Sequence, residues 1–70
     1  MSTYHNSDLS FWIEWYTDNY NDGIFTLEHL EEKLIELESV EDEWKNNLYY
    51  YSYCNSVKAL GIVINKIKEE

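Results

Sequence analysis

The sequence predicts an all-α fold, a small bundle of three or four short helices, with residues 1–70 forming a single domain. Apolar residues recur at intervals of three and four over most of the chain, which is the period of an amphipathic helix. The chain has no Pro and only two Gly, so little interrupts these segments. The minor alternative is an α+β fold with a short strand near 60–64, where β-branched residues are frequent.

A first helix is predicted from the helical spacing of apolar residues that starts at Leu9. Ser7 is the expected N-cap, and Asp8 would then lie in the first turn, where a carboxylate interacts favourably with the helix dipole. Residues 21–23 read Asn-Asp-Gly and are expected to end this helix, because Gly23 adopts a positive φ without strain.

A second helix is predicted after Thr26, its expected N-cap. Its apolar stripe consists of leucines at intervals of three, four and three: Leu27, Leu30, Leu34 and Leu37. Ser39 is the expected N-cap of a third helix, which has Glu41, Asp42 and Glu43 in its first turn.

The segment 40–68 fits a single helix poorly. One helix of that length would be ~44 Å long, whereas a compact chain of this size is expected to be only ~28 Å across. Its apolar residues also fall on two nearly opposite faces, one around Trp44 and the other around Leu60. Three interpretations remain open: the helix breaks near 55–56, it stays whole and packs its far face on a second chain, or residues 60–64 form a strand.

The charge of the chain is strongly acidic, with 14 acids against five lysines and a net charge of −9. The first 44 residues hold twelve of the acids and one Lys, a net charge of −11. Phosphate groups would be repelled by this charge, so direct binding to nucleic acid is not expected. Twelve aromatic residues argue against disorder, and a single Cys argues against a disulfide scaffold.

The expected location is the cytoplasm, and it is the host cytoplasm if a phage encodes the protein. The longest apolar stretch is far shorter than the ~20 residues of a membrane span, so no membrane association is expected. The first ten residues are too polar for a signal peptide. A free thiol without a signal peptide fits a reducing compartment.

Residues 18–29 resemble the calcium-binding loop of the EF-hand family, with Asp18 at its first position and Asp22 at its fifth. The resemblance implies flanking helices and calcium ligands at these two acids. Tyr20 and His29 occupy the third and twelfth positions, where the family has oxygen ligands. The favoured interpretation is therefore a plain corner between two helices, with a regulatory cation-binding corner as a weaker alternative.

Catalytic and metal-binding patterns are absent from the sequence. His5, His29 and Cys54 are far apart and lack metal-ligand spacing. Cys54 is expected to be a small core residue, and His29 to be solvated or part of a helix cap. We therefore expect no enzymatic activity, no metal and no cofactor.

The second helix carries the most informative pattern, five glutamates predicted to share its solvent side: Glu28, Glu31, Glu32, Glu36 and Glu38. They span ~15 Å, or one charge per ~3 Å, close to the ~3.4 Å axial spacing of phosphates along one DNA strand. Ile35 lies inside this acidic arc. It is either an isolated apolar residue or a small interface anchor.

The first helix has an apolar pair on the side opposite its predicted core. Phe11 and Trp15 lie one turn apart there, beside Glu14 and Asp18. Either a neighbouring segment covers the pair, such as the chain end or the C-terminal helix, or the pair is a protein-binding patch. The tyrosine-rich run 49–53 is also expected to expose one or two of its rings, because one helix face cannot bury all of them.

These features predict a non-enzymatic module whose acidic, aromatic surface docks on a partner protein with a basic surface. The sharper hypothesis is an inhibitor that occupies a nucleic-acid-binding groove, as phage anti-restriction and anti-CRISPR proteins do. The lack of Arg and Pro, with many Asn, Tyr, Ile and Lys, is typical of AT-rich genomes such as those of many phages. The alternative is a homodimeric structural or assembly protein that associates through its C-terminal helix and uses the acidic face for solubility.

Overall fold

The computed structural model describes residues 8–70, and that range contains four helices and no strand. They are α1 (Leu9–Asn21), α2 (Leu27–Ser39), α3 (Glu41–Trp44) and α4 (Tyr50–Glu69). The all-α prediction is confirmed. The predicted strand near 60–64 is wrong, because Leu60, Val63 and Ile64 continue α4 and all three face the core. Burial at helical spacing overrides the β-propensity of this stretch.

A cap at Ser7 would start α1 at Asp8, but α1 begins one residue later, at Leu9. Asp8 is the N-cap, and its Oδ1 accepts a hydrogen bond of 2.9 Å from the backbone N–H of Phe11. Ser7, the predicted cap, lies outside the described residues. At the other end the predicted stop is confirmed, since Gly23 has a φ of 81° and the chain turns there.

Helix α2 begins with the predicted cap, Thr26, whose hydroxyl accepts a hydrogen bond of 3.1 Å from the His29 N–H. The His29 Nδ1 accepts in return from the Thr26 N–H at 3.4 Å, so His29 replaces the Glu or Gln of an ordinary capping box. The predicted cap at Ser39 is wrong. Ser39 is the last residue of α2, and its hydroxyl donates to the Glu36 carbonyl at 2.7 Å.

The long C-terminal segment breaks at 45–49, six to ten residues before the predicted break near 55–56. The Asn47 side-chain oxygen accepts from the Tyr49 N–H at 2.8 Å, and the Tyr50 N–H bonds the Asn47 carbonyl. An Asx turn of this kind competes with a helix. The turn folds α3 back, so that Trp44 stacks on Tyr53 with ring centres 5.1 Å apart. Trp44, from one apolar face of the segment, therefore meets Tyr53, from the other, within one chain, whereas Leu48 and Tyr51 stay exposed.

Helix α4 is the centre of the fold, with α1 and α2 packed against it. Helix α1 runs parallel to α4, because Trp12 bonds Ser52 and, one turn later on both helices, Tyr16 bonds Ser56. Helix α2 runs antiparallel to α4. Its C-terminal end lies beside the start of α4, where Tyr53 donates to the Leu37 carbonyl. Small serines on α4 thus face large aromatic rings on α1, which lets these two helices approach closely.

The core is built mainly from α4, which supplies four of its six buried members. These members are Tyr16, Leu30, Ala59, Leu60, Val63 and Ile64. The molecule measures 36 × 30 × 19 Å, and its short dimension corresponds to two layers of helix. Within residues 8–70, no helix has both the length and the apolar content to cross a membrane.

Candidate functional site

The acidic face is the outward side of α2, and four of its five glutamates are exposed. Its residues are Glu28, Glu31, Glu32, Glu36 and Glu38. The leucine stripe turns the opposite side of α2 inward, with Leu30 fully buried against α4. The amphipathic pattern of the sequence is therefore what places these carboxylates together in solvent.

Glu31 departs from the predicted arrangement. It is half-buried, and its Oε2 lies 2.8 Å from the Nζ of Lys68 near the end of α4. Residues 8–70 contain one other ion pair, between Lys45 and Asp42 at 3.2 Å, so the remaining carboxylates of the acidic face have no lysine within 4 Å. Exposed carboxylates without an intramolecular partner are available to a basic partner.

The spacing of the available charges is wider than predicted. Glu28, Glu32 and Glu36 form one row, in which neighbours are four residues, or ~6 Å, apart along the helix. With Glu31 paired to Lys68, the four remaining glutamates give one charge per ~4 Å over the same ~15 Å, somewhat wider than the ~3.4 Å phosphate spacing of one DNA strand. The acidic face therefore offers a high density of negative charge without reproducing the regular spacing of backbone phosphates.

Ile35 is strongly exposed, with 68% of its surface accessible. It lies three or four residues from Glu31, Glu32 and Glu38, so carboxylates surround it on the helix surface. An apolar side chain inside a polar ring has the layout of an interface anchor, because its burial would exclude water around the neighbouring charges.

The aromatic pair of α1 is partly covered by the loop between α1 and α2. Trp15 contacts Phe25 of that loop, with ring centres 5.6 Å apart, and remains 39% exposed. Phe11 is 47% exposed and meets the edge of Trp12. Phe25 is thus a covering contact from the loop, where the sequence suggested the chain end or the C-terminal helix. Both rings keep enough open surface to contact another molecule.

The structure brings part of the predicted site together and separates the rest. Glu32 and Glu36 line a cleft of ≈ 380 Å³ with Ile24 and Phe25, and Phe25 in turn contacts Trp15. Trp15 of the α1 aromatic pair is therefore connected through Phe25 to this edge of the acidic face. The other predicted site residues, which are exposed but do not line this cleft, are Glu14, Asp18, Glu28, Ile35 and Glu38.

A second feature, the aromatic groove, was not foreseen from the sequence. It is a cavity of ≈ 320 Å³ between α1 and α2, with α4 as its floor. All three tryptophans of the chain line it, together with three tyrosines, two serines, Leu37 and Lys33. Lys33 is the only charged side chain among these lining residues. The residues come from four different parts of the chain, so no local pattern in the sequence points to the groove.

The polar groups at the floor of the aromatic groove bond each other. The Trp12 indole N–H donates to the Ser52 hydroxyl at 3.2 Å, and the Tyr16 and Ser56 hydroxyls share a hydrogen bond of 2.6 Å. Burial raises the pKa of Tyr16, although its bond to Ser56 acts in the opposite direction. The floor of the aromatic groove is thus uncharged, and its polar groups are hydrogen-bonded to one another. Lys33 is therefore the charged group among the lining residues that a ligand can contact.

Tyr50 and Cys54 form a pair on α4, and Cys54 lines a cleft with Glu38 at the C-terminal end of the acidic face. A hydrogen bond to the Cys54 thiol, with a smaller contribution from burial, raises the pKa of Tyr50 to about 12. Cys54 is half-buried rather than enclosed in the core. In the neighbouring run, Tyr49 is 37% and Tyr51 59% exposed, which confirms that one or two of these rings reach the surface.

The loop that resembles an EF-hand forms a tight corner. The Asp22 N–H bonds the Asp18 carbonyl, and the N–H groups of Ile24 and Phe25 both bond the Asn19 carbonyl. Within residues 8–70, no group of three or more His, Cys, Asp or Glu side chains is arranged to hold a metal ion. Backbone bonds and the Thr26 cap therefore account for this corner.

The fold and the site together define a small all-helical bundle with an acidic face and an aromatic groove. Comparisons with protein-family models, curated proteins and solved structures give no match to this chain.

Proposed function

We propose that this protein is a non-catalytic binding module that docks its acidic face on the basic surface of a partner protein. The observation that supports the proposal is the row Glu28, Glu32 and Glu36, exposed and without a lysine within 4 Å. A net charge of −9 attracts a basic partner over distance and accelerates association. Ile35 would supply the desolvated contact that slows dissociation.

The partner we infer is a nucleic-acid-binding protein, and the effect is inhibition. Grooves that bind nucleic acid are rich in Lys and Arg, so they complement the charge of the acidic face. A protein seated in such a groove excludes the nucleic acid, which is how an anti-restriction or anti-CRISPR protein of a phage can act. The proposal places the protein in the cytoplasm, where such partners work.

A competition assay tests the proposal. Labelled duplex DNA is bound to each member of a panel of restriction endonucleases and CRISPR nucleases, and its anisotropy is followed as this protein is added. We expect displacement of DNA from at least one panel member. We expect the E28Q/E32Q/E36Q variant to compete at least about tenfold less well, because it has lost three charges of the docking surface.

A charge-matched variant provides the control. E43Q/E69Q/E70Q removes the same number of charges from exposed positions outside the acidic face. It should retain competition within about twofold if the position of the charge matters rather than the net charge. Equal loss in both triple variants, or full competition by E28Q/E32Q/E36Q, would contradict docking through α2.

A second candidate function is assembly through a homodimer. Leu48 is 82% and Tyr51 59% exposed, and they lie three residues apart where α4 begins. Apolar side chains exposed in this way favour contact with a second copy of the chain. Light scattering at micromolar concentration should then give twice the monomer mass, and L48S/Y51S should return the mass to that of the monomer. A monomeric mass for the wild type would exclude this candidate.

A further inference from the structure

The aromatic groove contains a cation without a counter-ion. Lys33 is half-buried, whereas the other four lysines of the chain are exposed. Its ammonium group has no carboxylate oxygen within 4 Å, although all 14 acids lie within the described range. Lys33 also lines the cleft that holds Glu32 and Glu36, but no carboxylate pairs with it. An ammonium group at the edge of an aromatic cavity can form a charge-assisted hydrogen bond with an anion, so this position favours a ligand that brings a negative charge into the groove.

The rest of the aromatic groove is suited to a flat apolar body. Trp12, Trp15 and Tyr16 form one wall and Trp44 and Tyr53 continue the lining. Aromatic rings attract one another in stacked and edge-to-face arrangements. The cavity volume of ≈ 320 Å³ lies at the lower end of the range for small-molecule sites, ~300–1,000 Å³. The groove therefore fits one small aromatic molecule.

We propose that the aromatic groove binds a small aromatic monocarboxylate, with its ring system among the tryptophans and its carboxylate on Lys33. A single negative charge is part of the proposal, because the net charge of −9 repels an anion in proportion to the anion's own charge. Nucleotides, phosphopeptides and nucleic acids carry several charges and are disfavoured. A monoanion with a large apolar body gains most from the groove and loses least to repulsion.

The experiment uses 2-naphthoate as the probe and 2-naphthamide as its uncharged analogue. Three indole N–H signals are followed by two-dimensional NMR of the ¹⁵N-labelled full chain, and all three tryptophans line the groove. We expect both compounds to shift these signals, and the carboxylate to bind about tenfold more tightly than the amide. The K33Q variant should bind the two compounds equally while keeping the amide affinity of the wild type.

A matched lysine variant separates the role of Lys33 from that of net charge. K66Q removes one positive charge from an exposed position outside the aromatic groove and should retain the preference for the carboxylate. Equal binding of the two compounds by the wild type would overturn the proposal, because it would show that Lys33 does not select for a negative charge. Indole signals that do not move at millimolar probe, or a preference that survives in K33Q, would overturn it as well.

Discussion

Two hydroxyl groups fix the register of α1 on α4. The Tyr16 hydroxyl is buried and shares its 2.6 Å hydrogen bond with Ser56, so removal of either group leaves the other unsatisfied. We expect Y16F and S56A each to lower the free energy of unfolding by about 1–3 kcal/mol. The double variant should lose less than the sum, because it leaves no buried hydroxyl without a partner. Urea denaturation followed by circular dichroism measures all three, and simple additivity would contradict the interpretation.

The raised pKa values of three tyrosines determine how we expect stability to depend on pH. Burial raises the pKa of Tyr16 and of Tyr53, and the Cys54 thiol raises that of Tyr50 to about 12. A raised pKa means that the folded state holds the proton more tightly than the unfolded chain does. This stabilisation is complete below the ordinary tyrosine pKa of about 10 and is lost as the pH rises through the folded-state values.

We therefore expect the free energy of unfolding to fall as the pH rises above about 10. Urea titrations at a series of pH values measure it, with tyrosine absorbance recorded in parallel to follow deprotonation. Y16F is the control, because it removes one of the raised groups and should show a shallower decline. A free energy of unfolding that stays constant or increases over this range would be inconsistent with the raised pKa values.

At the scale of a helix, alanine substitutions at the two glycines are expected to change stability in opposite directions. Gly23 has a φ of 81°, a conformation that strains any residue with a Cβ, so G23A should lower the free energy of unfolding by about 1–2 kcal/mol. Gly61 lies inside α4, and a Cβ added there meets no atom within 4 Å. G61A should raise the free energy of unfolding by about 0.5–1 kcal/mol, because alanine favours a helix more than glycine does. Thermal and urea unfolding of both variants check the pair, and a shared sign would be evidence against this backbone geometry.

The elements predicted correctly from the sequence are those whose signals are local. Helical spacing, the Thr26 cap and the turn at Gly23 act within a few residues of the chain, and all three are confirmed. The break at 45–49 was missed because it involves a hydrogen bond that the Asn47 side-chain oxygen accepts from the Tyr49 N–H, in a segment without Pro or Gly. The pair Asn46-Asn47 was the available signal, since asparagine favours such turns.

The candidate site, like the fold, has one part that a local sequence pattern predicts and another that depends on the packing of the helices. The acidic face follows from the α2 pattern alone, and four of its glutamates are exposed as expected. The ion pair between Glu31 and Lys68 depends on how α2 packs against α4, because that packing brings together residues far apart in the chain. The aromatic groove requires the placement of α1, α2 and α4 together, so its lining could not be assembled from spacing.

At the scale of the whole molecule, the acidic face works against stability. Glu32 follows Glu28 by four residues and Glu36 follows Glu32 by four, and like charges at this spacing destabilise a helix by about 0.2–0.5 kcal/mol per pair. Glu36 also lies near the C-terminal end of α2, where the helix dipole disfavours a negative charge. Ion pairs relieve little of this repulsion, since those found within residues 8–70 involve neither Glu32 nor Glu36.

Salt should therefore stabilise this protein, because it screens repulsion between exposed charges more than it weakens two surface ion pairs. We expect the melting temperature of the wild type to rise between low and high NaCl concentration. The E32Q/E36Q variant should be more stable than the wild type at low salt and should respond less to added salt. A melting temperature that falls with salt would show that the exposed carboxylates are not under mutual repulsion. If E32Q/E36Q gains stability and loses competition for the partner, the acidic face lowers stability while it provides binding, which is the behaviour expected of a functional surface.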